Sequence, residues 1–112
     1  MLITGLDGPF ALSDEDIDGN VKDGIGVYAL GHEKEGRFCI LFVGRADYDL
    51  NDRLHQHVGE YEVFKFRHFT TLRDAFEKEC KLYHDFAPPD NHVHPERPIG
   101  TDYRCPASGC SH

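Results

Sequence analysis

No stretch of this sequence approaches the roughly 20 continuous apolar residues that a bilayer-spanning helix needs, and the N-terminus lacks a basic region followed by an apolar signal core. A soluble, intracellular chain with no membrane partner is the expectation. Basic residues are scarce too: 12 Lys and Arg face 20 Asp and Glu, for a formal net charge of −8. Duplex binding is driven largely by cations that neutralise phosphates, so this balance excludes a broad basic footprint and implies weak non-specific affinity for DNA. The deficit is uneven. The first 24 residues hold Asp7, Asp14, Glu15, Asp16, Asp18 and Asp23 against Lys22 alone, and contribute −5 of the −8. The remainder is mildly acidic, with local basic positions at Arg45, Arg53, Lys65 and Arg67 that suffice for a restricted phosphate site. There is no internal repeat, and 112 residues with 39% hydrophobic content provide core for one small domain.

Residues 1–23 are Gly- and Asp-rich and read as a solvated lead, with a helix start at Ser13, whose side chain is placed to cap. Segments 25–30 and 38–43 are rich in β-branched and aromatic residues, and the polar Gly31-His32-Glu33-Lys34-Glu35-Gly36 between them has the composition of a hairpin loop. From 50 to 58, Leu50, Leu54 and Val58 recur every four residues, a helical spacing that groups Arg53 with His57 on a neighbouring face. Segment 61–69 alternates Phe64 and Phe66 with Lys65 and Arg67, as a half-buried third strand would. The strongest helix signal covers 71–86, with Thr71 at its start, an apolar stripe through Leu72, Ala75, Phe76, Leu82, Tyr83 and Phe86, and Pro88-Pro89 to end it. Beyond 91 the chain is rich in Pro, Gly and His without periodicity, so it is irregular unless something other than a core orders it.

Gly26-Val27-Tyr28, then Phe42-Val43-Gly44-Arg45, then Arg53 before Leu54 and four residues before His57, then Glu79 within Asp74-Ala75-Phe76-Glu77-Lys78-Glu79, occur in an order that resembles a GIY-YIG nuclease domain. The closing run Asp85-Phe86-Ala87-Pro88-Pro89-Asp90-Asn91 resembles that family's final segment, in which an asparagine follows a proline. The resemblance spans about residues 26–91. One departure is plain: Phe42 stands where the family has its second tyrosine. The resemblance implies an α/β domain over 24–91 with a small three-stranded antiparallel sheet flanked by helices, and metal-dependent hydrolysis of DNA phosphodiesters.

Chemically the pieces are complementary. Tyr28 and His57 would handle the attacking water; a free phenol has a pKa near 10, so a base role for Tyr28 requires help from a cation or metal. Arg53 offers a permanently charged fork of donors to two phosphate oxygens. Arg45 and Asn91 are candidate substrate contacts. Glu79, four residues after Ala75 and three before Leu82, borders the apolar face of its helix, whereas Glu77 projects elsewhere. The resemblance makes Glu79 the ligand of one Mg²⁺ or Mn²⁺, and Mg²⁺ tolerates a single protein carboxylate because it retains waters and takes a phosphate oxygen.

Four cysteines without an export signal favour free thiols or metal ligands over disulfides. Cys80 and His84 lie four apart on the last helix, and Cys105-Pro106-Ala107-Ser108-Gly109-Cys110 spaces two thiols around a turn, so these four are candidate Zn²⁺ ligands, with His92 or His94 as substitutes for His84. Such an ion would pin the tail, 92–112, onto the same domain. Two rival functions belong to other classes: a non-catalytic module of the same fold that binds nucleic acid or protein, and a zinc-stabilised interaction domain.

Overall fold

The computed structural model describes residues 3–112 and is organised around a hairpin. Strand β2 (Gly26–Lys34) runs into β3 (Arg37–Ala46) through a two-residue turn, Glu35-Gly36, in which both residues have positive φ (53° and 76°). Tight hairpins need this left-handed backbone to match strand twist, and Gly36 supplies half of it without steric cost. The turn is therefore shorter than the composition of 31–36 predicts, and both strands are longer. A bulge between Leu30 and Gly31 absorbs one extra residue of β3.

Strand β4 (Val63–His68) pairs antiparallel with the other edge of β2, and β1 (Asp7–Ala11) pairs antiparallel with β4. Among the described residues the sheet has four strands, in the order β1-β4-β2-β3, where the sequence predicts three. The missing strand lies in the acidic lead, which is part of the fold rather than an appendage. Residue Leu12 and helix α1 (Asp14–Asn20), capped by Ser13 Oγ accepting from Asp16 N at 3.2 Å, bring Leu12, Ile17 and Val21 into the core. Full burial of one aliphatic side chain contributes about 1.5–3 kcal/mol, which outweighs the repulsion among solvated surface acids. Two of those acids are moreover paired: His55 Nδ1 meets Asp14 at 2.6 Å and its Nε2 meets Asp18 at 2.8 Å. That imidazole clips α1 to α2 (Leu50–His55), and its two carboxylates, Asp18 foremost, hold its pKa above the ordinary value.

Both faces of β2 are covered, which is why its apolar run is nearly continuous. Tyr28 and Leu30 face α1 and α2 in a core with Leu50, Leu54, Phe64 and Phe66; Val27 and Ala29 face helix α3 (Leu72–Phe86) in a second core with Ala75 and Leu82. Helix α3 begins where the sequence places it, with Thr71 Oγ1 accepting from Asp74 N at 3.1 Å, and ends at Ala87 in the left-handed region (φ 44°) ahead of the prolines. Past α3 the chain turns along the outer edge of β3. The Asn91 carboxamide accepts from Val43 N at 2.8 Å and donates to Val43 O at 3.0 Å, while Asp90 N donates to Leu41 O at 2.9 Å. From 92 to 112 there is neither helix nor strand. No helix among the described residues is long and apolar enough to cross a membrane.

Candidate active site and a second ligand cluster

Tyr28 reaches its place because β2 is central: the ring is buried (2% exposed) and only the hydroxyl end approaches the cleft beside β3. Gly44, its partner on β3, makes the approach possible, since a Cβ built there would fall on Tyr28 Cζ and Oη. The phenol meets His57 Nε2 at 3.0 Å, and His57 Nδ1 meets Glu60 at 2.9 Å. In the neutral imidazole the Glu60 carboxylate at Nδ1 favours the tautomer with its proton there, which leaves Nε2 to accept from the Tyr28 hydroxyl. Helix α2 stops at His55, one turn sooner than the leucine spacing predicts, and His57 sits in the turn that follows. Glu60 is a site residue that the motifs do not mark; a carboxylate three residues after a histidine is its one signal in the sequence. Burial pushes the phenol pKa well above its ordinary value, with the Arg53 guanidinium opposing. The Phe42 ring packs 6.3 Å from Tyr28 and 5.8 Å from His57, an apolar wall beside the phenol that offers no second hydroxyl.

Across the cleft, Glu79 projects from α3 toward β3 and is 7% exposed. Arg45 Nη1 donates to Glu79 Oε1 at 2.7 Å and to Glu96 O at 2.7 Å, Arg45 Nε donates to Asp47 Oδ1 at 2.6 Å, and the guanidinium lies 5.5 Å from the Phe76 ring centroid. One cation thus serves two carboxylates. Burial pushes the Glu79 pKa up to about 7; Arg45 pulls it down, and Asp47 adds to the rise. Glu77 faces outward and pairs with Arg73 at 3.1 Å, so the two glutamates divide between helix faces as their spacing predicts. Arg53 lies exposed on α2 at the cleft wall, close enough for its charge to act on both Tyr28 and Glu79.

The cleft has a volume of about 510 Å³, and Tyr28, Arg45, Arg53 and Glu79 line it together although they come from four different elements. Asp47, Glu96 and Arg97 complete the walls, and Tyr48 (81% exposed) and Ile99 (93% exposed) stand at its lip. Asn91 lies apart, its side chain committed to Val43.

A second group forms where the tail crosses the end of α3. One ligand atom each from His84, His94, Cys105 and Cys110 lie within 4.8 Å of one another, an arrangement that could hold a metal such as zinc. Three of the four residues foreseen as zinc ligands are present, and His94 joins His84 rather than replacing it. Cys80 is outside the group: one turn deeper on α3, it is fully buried with Phe76 beneath Cys105.

Comparison with family models, with characterised proteins and with solved structures gives no match.

Proposed function

We propose that this protein is a GIY-YIG-like endonuclease that hydrolyses DNA phosphodiester bonds with one divalent cation at Glu79. The observation that carries the reading is the convergence of Tyr28, Arg53 and Glu79 on one cleft, with a Glu60–His57 pair behind the phenol. In this reading Tyr28 orients the attacking water and passes a proton toward His57 Nε2, and Glu60 stabilises the imidazolium that results. Arg53 binds the scissile phosphate and neutralises the charge that grows on it. With Glu79 ionised, Glu79 and Asp47 share the single charge of Arg45 beside an open cleft, and this excess of negative charge suits a hard cation. Bound there, Mg²⁺ or Mn²⁺ supplies polarisation of the phosphate and stabilisation of the leaving oxygen. Exposed Tyr48 at the lip offers a face on which a base can stack.

The test is incubation of the pure protein with supercoiled, linear and branched DNA in Mg²⁺, Mn²⁺ or EDTA. Metal-dependent nicking that Glu79→Gln, Arg53→Ala and Tyr28→Phe each abolish, with Glu77→Gln active, supports the assignment. Full activity of the Glu79 variant overturns it. A second reading, a non-catalytic nucleic-acid-binding module, is favoured by Phe42 and by the pairing of Arg45 with Glu79; salt-dependent DNA binding without cleavage selects it.

A further inference from the structure

The tail poses a physical problem. Residues 92–112 have no helix or strand, yet Pro98 and Cys105 are buried and the segment walls one side of the cleft. Its apolar anchorage is slight: Cys105, with partly buried Tyr103, Ala107 and Cys110, against Phe76 and Cys80. Ordering a residue costs about 1–2 kcal/mol of backbone entropy, more over such a length than these few contacts return.

We propose that His84, His94, Cys105 and Cys110 bind one structural Zn²⁺, and that this ion latches the tail to α3 and so fixes the wall of the Arg45–Glu79 cleft. Two imidazole nitrogens and two sulfurs are a donor set that selects zinc over a hard cation. A tetrahedral ion with bonds of about 2.3 Å to sulfur and 2.0–2.1 Å to nitrogen separates its ligand atoms by roughly 3.3–3.8 Å. Cys110 Sγ and His94 Nε2 are already 3.4 Å apart, and the whole group spans no more than 4.8 Å. Small side-chain adjustments close the shell.

The surroundings orient the ligands. His94 Nδ1 donates to Pro95 O at 2.9 Å, which directs the Nε2 lone pair at the cluster, as a metal-bound imidazole requires. His112 stacks on the His94 ring with centroids 4.2 Å apart, and Cys105 N donates to His112 O at 2.7 Å, closing the tail around the group. The turn between the thiols is set by Cys110 N donating to Ala107 O at 3.2 Å. Binding exchanges two thiol protons for one Zn²⁺ and leaves a centre of zero net charge, suited to a partly buried place. The link to the cleft is short in sequence: Glu96, whose carbonyl accepts from Arg45, is two residues beyond His94. The proposal stands whether or not the cleft is a nuclease site.

The test uses the full chain purified under reducing conditions without chelator. Elemental analysis is expected to give about one zinc per chain, and X-ray absorption two sulfur and two nitrogen neighbours. Less than a tenth of an equivalent, a Cys105–Cys110 disulfide in the presence of reductant, or a shell of three sulfurs overturns the site. Cys110→Ser and His94→Ala are each expected to lower zinc content at least about tenfold, whereas Cys80→Ala retains it. The reverse pattern, or loss in all three, overturns the ligand set, and X-ray absorption on the unaltered protein decides if a variant fails to fold. For the latch, chelation is expected to speed proteolysis within 92–104 at least about tenfold and to move the Arg45 side-chain NMR resonance while those of β2 and β4 stay in place. An unmoved Arg45 resonance overturns the coupling to the cleft.

Discussion

Glu79→Gln isolates the balance between burial and pairing at the centre of the cleft. The carboxyl is 7% exposed, its ordinary pKa is 4.5, and burial raises it to about 7 against the opposing pull of Arg45, with the Asp47 charge adding to the rise. A rise of this size corresponds to about 3 kcal/mol of linkage at about 1.4 kcal/mol per pH unit. Since the folded-state pKa lies above the unfolded one, the contribution is fully present below pH 4.5 and is lost as pH rises through about 7. Other titrating groups are common to both proteins and largely cancel in the difference. The stability of the wild type minus that of the variant is therefore expected to fall by about 3 kcal/mol between pH 4.5 and pH 8. Urea titrations followed by circular dichroism measure it; at a slope of about 1–3 kcal/mol per molar, the midpoint difference moves by roughly 1–3 M. A difference that stays flat above pH 5 and shrinks only in acid would show that Arg45 keeps Glu79 ionised throughout, and would refute the claim that burial prevails. Under the proposal that Glu79 holds the cation, Mg²⁺ added at pH 8 should restore part of the lost stability to the wild type alone.

Gly44→Ala places a methyl against the Tyr28 hydroxyl; it should cost about 1–3 kcal/mol of stability and break the Tyr28–His57 bond, seen as a shift of the His57 ring resonances and, under the proposed activity, as a loss of nicking out of proportion to the lost fold. Under the proposed nuclease activity, Glu60→Gln leaves the phenol in place but weakens the imidazolium, so nicking should drop about 10- to 100-fold with metal affinity unchanged in a titration; an unaltered rate would remove Glu60 from the proposed mechanism. Deletion of residues 1–22 strips Leu12, Ile17 and Val21 from the core and uncovers β4, a loss of about 5–9 kcal/mol that rivals the whole stability of a small domain. The truncated chain should show no cooperative thermal transition.

Much of this architecture is legible in local pattern. Thr71 and Ser13 announce their helices because capping is a short-range bond, and the α3 stripe is long enough for its period to be unambiguous. Strand β1 is not legible: five residues that include Gly8 and Pro9 resemble a loop, and the proline is tolerated because it falls in a register break of a strand at the sheet edge. The same division runs through the site. Tyr28, Arg53 and Glu79, which the sequence singles out, line one cleft, whereas Asp47 and Glu96 join it only through tertiary contact with Arg45. Cys80 shows the limit of helical spacing: it shares a face with His84, but with Phe76 four residues before it, it lies under the tail while His84 remains exposed beside it.

The Asn91 carboxamide presents one acceptor and one donor to Val43, the pair a neighbouring strand would offer. A single side chain thereby occupies the docking position through which another chain would extend this sheet by edge-to-edge pairing. Its effect is felt at the level of assembly as much as of folding: with that position filled, β3 offers no open rung at Val43, and growth of the sheet stops at its fourth strand. An Asn91→Ala protein would retain its cores and yet carry an unpaired peptide group at its border. Concentration-dependent self-association is the behaviour such a border invites.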